Sequence, residues 1–145
     1  MKKAILILTM TLLNIGNVVA QKITNENELK NFYIEYFSNA GRENEVLKDS
    51  LVTVYCTKEL YTAWHEDVYD IGLYDPLTNG LCENPEMMKK TLVVKKDSDG
   101  YSVSFDYLTW PDNKTETETV IIYVNADGKI SHTKRPEDGY MTPSK

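Results

Sequence analysis

What this sequence has least of is catalytic signature. Histidine occurs twice, at His65 and His132, and cysteine twice, at Cys56 and Cys82. There is no Ser-His-Asp set, no Cys-His spacing and no His-x-x-x-His pair, so none of the common nucleophile or metal-hydrolase arrangements is written in the chain. Basic clusters are equally scarce. Lys89-Lys90 and Lys95-Lys96 are isolated pairs, whereas phosphate contact needs a concentrated positive face, which argues against nucleic acid as a partner. Past residue 20 no run approaches the about 20 apolar residues of a spanning helix. No internal repeat is evident.

What is present begins with MKKAILILTMTLLNIGNVVA. Lys2 and Lys3 precede an apolar run from Ala4 to Leu13, and Val18-Val19-Ala20 has the small-residue character of a cleavage site. This is the anatomy of a secretory signal peptide cut after Ala20. The run is too short and too broken by Asn14, Gly16 and Asn17 for a membrane anchor. The expected organisation is a signal peptide over 1–20, one domain over 21–135 and a flexible tail over 136–145, in a periplasmic or secreted protein. Without Lys2 and Lys3, 14 basic residues face 22 acidic ones, a formal charge of −8. Such a surface favours solubility and basic partners.

In an oxidising compartment Cys56 and Cys82 read first as a disulfide, worth roughly 3–4 kcal/mol on the chain-entropy model. The competing reading is two buried thiols behaving as small hydrophobes.

The clearest helix lies in NENELKNFYIEYF, where Leu29, Phe32, Tyr33, Tyr36 and Phe37 fall on one face. Asn25 followed by Glu28 is an N-cap signature. A second helix is expected from Glu43 to about Leu51, with Val46, Leu47 and Leu51 inward. Thr57 can cap a third, TKELYTAWHED, whose buried stripe is Leu60, Tyr61, Trp64 and Val68. From Thr91 the period changes to two. TLVVKK, YSVSFDYLTW, ETETVIIYV and GKISHTK read as strands divided by turn clusters at 97–100, 111–114 and 125–128. Tyr101, Val103, Phe105 and Tyr107 share a face; Val120, Ile122 and Val124 share another. The strand ending VIIYV is apolar on both faces and is expected at the centre of the sheet.

Helices followed by an antiparallel meander make an α+β pattern, with N-terminal helices packed on a curled sheet. FYIEYF, CTKELYTAW, YDIGLYDPLTNG and the hairpins after them resemble a family of small exported bacterial proteins of unknown function in the nuclear transport factor 2-like, or cystatin-like, superfamily. That family's Asp-Pro segment runs on into a Gln-Asp pair, whereas Leu81-Cys82 follows here. The resemblance implies a cone whose open end can hold a small apolar ligand, and no activity comes with the family itself.

Three chemistries compete for the segment HEDVYDIGLYDP, residues 65–76. Asp67, Asp70 and Asp75 are the candidate ligands of a calcium ion, but their spacing differs from that of an EF-hand loop. In the alternative, Ile71, Leu73 and Leu77 pin an acidic loop to the core and Asp75 starts a turn before Pro76. The resemblance also brings isomerase or dehydratase chemistry, run by other members of this fold class, which needs a base with a shifted pKa; His65 or Asp67, with Tyr61 and Asp106 or Tyr107, are the candidates. The leading reading is non-catalytic binding, of a small apolar molecule or an envelope protein. Its contact surface would be Tyr55, Tyr61, Trp64, His65, Tyr69 and Tyr74, since tyrosine joins apolar area to a hydrogen-bonding tip. An envelope inhibitor or immunity protein is a narrower version, suited by an acidic surface. No cofactor other than calcium is indicated, and a homodimer stays open.

Overall fold

The computed structural model describes residues 21–40, 42–71, 75–80, 84–98, 100–134 and 141–142. The segment expected to be a signal peptide lies outside them. Helix α1 (Glu26–Ser38) starts where the sequence places it. Asn25 Oδ1 accepts from the Glu28 amide at 3.0 Å, and the Glu28 carboxylate accepts from the Thr24 amide and hydroxyl at 2.5 and 2.8 Å. Two orphan donors at the helix start are thereby satisfied by reciprocal caps. All five residues of the aromatic stripe are buried.

A short 3-10 turn (Arg42–Asn44) leads into α2 (Glu45–Tyr55). Here the phase differs from the expectation. The buried side chains are Lys48, Leu51, Val52 and Tyr55, while Val46 and Leu47 stand 78% and 59% exposed. Positions 48, 51, 52 and 55 form a stripe of their own at helical spacing, and turning it inward carries 46 and 47 to the water side. Helix α3 (Lys58–His65) is capped by Thr57, whose hydroxyl accepts from the Leu60 amide. It continues into a π-type turn over Glu66–Ile71, past Asp67, where the sequence pattern ends the helix. A fourth helix, α4 (Pro85–Thr91), was also not foreseen; Asn84 caps it and Pro85 occupies its first turn, where a missing N–H costs nothing.

The sheet is an antiparallel meander of β1 (Val93–Asp97), β2 (Gly100–Leu108), β3 (Thr115–Val124) and β4 (Ile130–Lys134), with a short β5 (Met141–Thr142) beside β4. The tail expected to be flexible thus supplies two paired residues; the rest of 136–145 lies outside the described set. Strand β3 is central, as its two apolar faces required. Tyr101, Val103, Phe105, Val120 and Ile122 point into the core, where α1 and α4 cover the sheet. The junction of α2 and α3 is tied to β4: Cys56 pairs with Ile130, and the Thr57 amide donates to the Ile130 carbonyl at 2.8 Å. Gly128, at φ +77°, closes the β3–β4 turn where a Cβ would come within 2.7 Å of Lys22 Cβ, so only glycine fits beneath the incoming chain.

The outer edge of β1 does not stay open. Glu26 Oε1, from the first turn of α1, accepts from the Lys96 amide at 2.7 Å. Just before β1 begins, Thr91 Oγ1, at the end of α4, accepts from the Asp106 amide of β2 at 2.8 Å. Side chains thus occupy donors that another strand would otherwise take.

Candidate functional site

The aromatic side chains proposed for a contact surface divide sharply. Trp64 is wholly buried and Tyr55 nearly so, its ring 5.2 Å from that of Phe32. Both belong to the core. Tyr61 is half-buried, its hydroxyl donating to Asp49 Oδ1 at 2.9 Å; this bond to a carboxylate pushes its pKa up. His65 is half-buried with its ring centroid 5.9 Å from that of Tyr61. Tyr69 and Asp70 lie in the π-type turn, and nothing is described of their side chains; Tyr74 lies outside the described residues.

Asp75 is the organising residue, in a role the sequence did not suggest. It starts a turn, as expected: Oδ1 accepts from the Leu77 amide at 3.0 Å, and its carbonyl accepts from the Thr78 and Gly80 amides. Its carboxylate, however, faces the interior. Oδ2 accepts from the Tyr36 hydroxyl at 2.5 Å and lies 3.4 Å from Lys48 Nζ. Trp64 Nε1 donates to the Tyr36 hydroxyl at 2.7 Å, and Lys48 Nζ sits 4.3 Å from the centre of the Tyr36 ring. Nearby the Tyr33 hydroxyl donates to the Leu77 carbonyl at 2.8 Å. Residues of α1 and α2 therefore meet a single carboxylate, and Trp64 of α3 is linked to it through the Tyr36 hydroxyl. Lys48 was missed because an internal lysine reads as surface; its place in the 48, 51, 52, 55 stripe was the available signal.

Chemically this cluster is closed. A buried carboxylate must be paired or hydrogen-bonded, and Asp75 has an ammonium, a hydroxyl and a backbone amide. Asp67 is half-buried, and burial raises its pKa first, with the charges of Glu66 and Asp75 adding to the effect. Among the described residues no group of three or more His, Cys, Asp or Glu side chains is arranged to hold a metal ion. Cys56 is a free thiol in the core, and Cys82, with which a bridge was expected, lies outside the described residues. Burial pushes the Cys56 pKa up, Asp75 adds to the shift and Lys129 opposes it, which leaves an inert thiol.

The exposed aromatic lies elsewhere. Trp110, in the turn joining β2 to β3, is 82% exposed. The hairpin arm carrying it is laced by side chains on both faces. Tyr107 donates to Glu116 at 3.1 Å, Thr117 donates to Asp106 at 2.6 Å, and Ser104 and Thr119 share a hydrogen bond of 2.8 Å. At the tip, backbone bonds join Thr109 to Lys114 and Asn113 to Thr109, and Lys114 pairs with Asp112. From 106 to 118 the arm has four carboxylates, Asp106, Asp112, Glu116 and Glu118, against Lys114 alone. No signal in the sequence singled out Trp110, because tryptophan at a strand end reads as core.

On the face of the sheet turned away from the core, Tyr123 and His132 stack across β3 and β4 with centroids 4.1 Å apart and planes 7° from parallel. Asp106, weighed as a catalytic group, engages Thr117 on this same face. No helix among the described residues is long and apolar enough to cross a membrane.

No protein-family model matches the chain, and neither does any curated protein. A crystal structure of a protein of unknown function from Bacteroides thetaiotaomicron is similar to it, with a TM-score of 0.52 and 22% identity over 75% of this chain and 90% of that one. That likeness is one of fold: an α+β domain of the same general build.

Proposed function

We propose that this protein is an exported, non-catalytic binding domain whose contact element is the β2–β3 arm and whose partner is an envelope protein. The supporting observation is Trp110, 82% exposed on a cross-laced hairpin. A tryptophan held that far in water forgoes a large burial gain, and at interfaces tryptophan supplies a disproportionate share of binding energy. Catalysis by the Asp75 carboxylate is disfavoured by the same reasoning, since its donors are all internal. The nuclear transport factor 2-like, or cystatin-like, cone is the fold family we propose. The order of helices and hairpins supports it. Export rests on the sequence of residues 1–20, and no cofactor enters this reading. The test is capture from an envelope fraction of the source cells by the mature chain and by Trp110→Ala. A protein retained by the former in stoichiometric amount and lost by the latter supports the reading. Equal retention by both, or none by either, overturns it.

A further inference from the structure

Resting on that reading, we infer that the arm recognises a cationic, arginine-bearing segment of its partner, with a guanidinium stacked on the Trp110 indole and neighbouring cations paired to the arm's carboxylates. The juxtaposition carries this. Indole is the best side-chain acceptor for a cation above its ring, and here it projects from a ribbon of Asp106, Asp112, Glu116 and Glu118 with Lys114 as the only cation. A planar guanidinium satisfies both surroundings at once, its face on the ring and its N–H fork on a carboxylate. The arm's own bonds leave acceptors to spare. Glu116 uses Oε2 toward Tyr107, and Asp106 uses Oδ1 toward Thr117, while an ionised carboxylate offers about four lone-pair positions. The same cross-strand bonds hold the ribbon in shape, so little ordering cost falls on binding.

Charge separates this occupant from the others that an exposed tryptophan might suggest. An anionic membrane surface would be repelled by the carboxylates. A purely apolar slot would have to strip water from Asp112 and Glu116, both exposed and following Trp110 in the chain, and would offer nothing to the acceptor positions that Lys114 and Tyr107 leave open.

The probe is a short arginine-rich peptide titrated against the full mature chain at low salt, with isothermal calorimetry as the readout. Lysine and citrulline versions serve as controls, beside phosphatidylcholine vesicles. The expected result is saturable binding in the order arginine, lysine, citrulline, weakened about fivefold or more by Trp110→Ala and less by Trp110→Phe. Glu116→Gln should also weaken it and flatten its salt dependence. Binding that Trp110→Ala leaves unchanged would overturn the inference, as would vesicle binding with no response to the peptide. If Trp110-dependent capture of an envelope protein persists while the arginine peptide fails, the binding reading stands and the cationic partner falls. If both fail, the binding reading falls with it.

Discussion

The Tyr36 hydroxyl stands between Trp64 and Asp75, accepting from the indole Nε1 at 2.7 Å and donating to Oδ2 at 2.5 Å. That single oxygen joins α1 to α3 and both to the turn at 75–80, and Lys48 brings in α2. The consequence is that the helical layer is held by a polar junction as well as by apolar packing. Its removal should be read as a loss of stability and not as a loss of activity.

Lys48→Met tests this directly. It leaves the Asp75 carboxylate buried without its cation and should cost about 3–5 kcal/mol in urea unfolding. Lys48→Met combined with Asp75→Leu should cost less than the single change, because no uncompensated charge then remains. A Lys48→Met protein of unchanged midpoint would show that the pair holds nothing together.

Asp67 sets a pH dependence of opposite sign from the usual carboxylate. Its folded pKa is raised above the ordinary 3.8, chiefly by burial. The native state therefore holds the proton more tightly than the unfolded chain does, and Asp67 contributes stability below its unfolded pKa that is lost as pH rises through the folded one. Asp67→Asn should accordingly raise the melting midpoint at pH 7, and the gain should vanish as the pH falls below that ordinary value. A gain that grows on acidification would contradict the assignment.

Much of this architecture is legible in the chain. The Asn25 and Thr57 caps, the aromatic stripe of α1 and the inward faces of β2 and β3 follow from spacing alone, because each is set within a few residues. What escapes has a long-range cause. Lys48 is drawn inward by a carboxylate 27 positions away, so the adjacent apolar pair Val46 and Leu47 misdirects any local assignment of phase. α4 is a single capped stretch of seven residues, too short to show a period. The proposed site followed the same pattern. Trp64 falls both in the buried stripe of α3 and, with Tyr55, in the proposed contact surface, and the position of Tyr36 shows that its indole N–H is used inside.

Glu26 guards the edge of β1. With Glu26→Ala the Lys96 amide loses its acceptor, so its hydrogen exchange should accelerate and concentrated samples should self-associate more on size-exclusion chromatography. The stability loss should be small, about 1 kcal/mol or less, since the bond lies at the surface. Unchanged exchange at Lys96 would remove this role.

Cys56 should be silent in the folded protein. Its buried, proton-bound thiol should resist iodoacetamide in buffer and react once denatured without reductant, as read by peptide mass spectrometry. Failure to label after denaturation would reveal an oxidised cysteine and restore the bridge with Cys82.

The central claim is that contact is made by the β2–β3 arm and not by the aromatic residues of α3. Hydroxyl-radical footprinting of the mature chain, with and without its captured partner, separates the two. Protection centred on Trp110 and extending over 106–118, with Tyr61 and His65 unchanged, is the predicted result. Protection of Tyr61 and His65 with Trp110 still fully oxidised would contradict it.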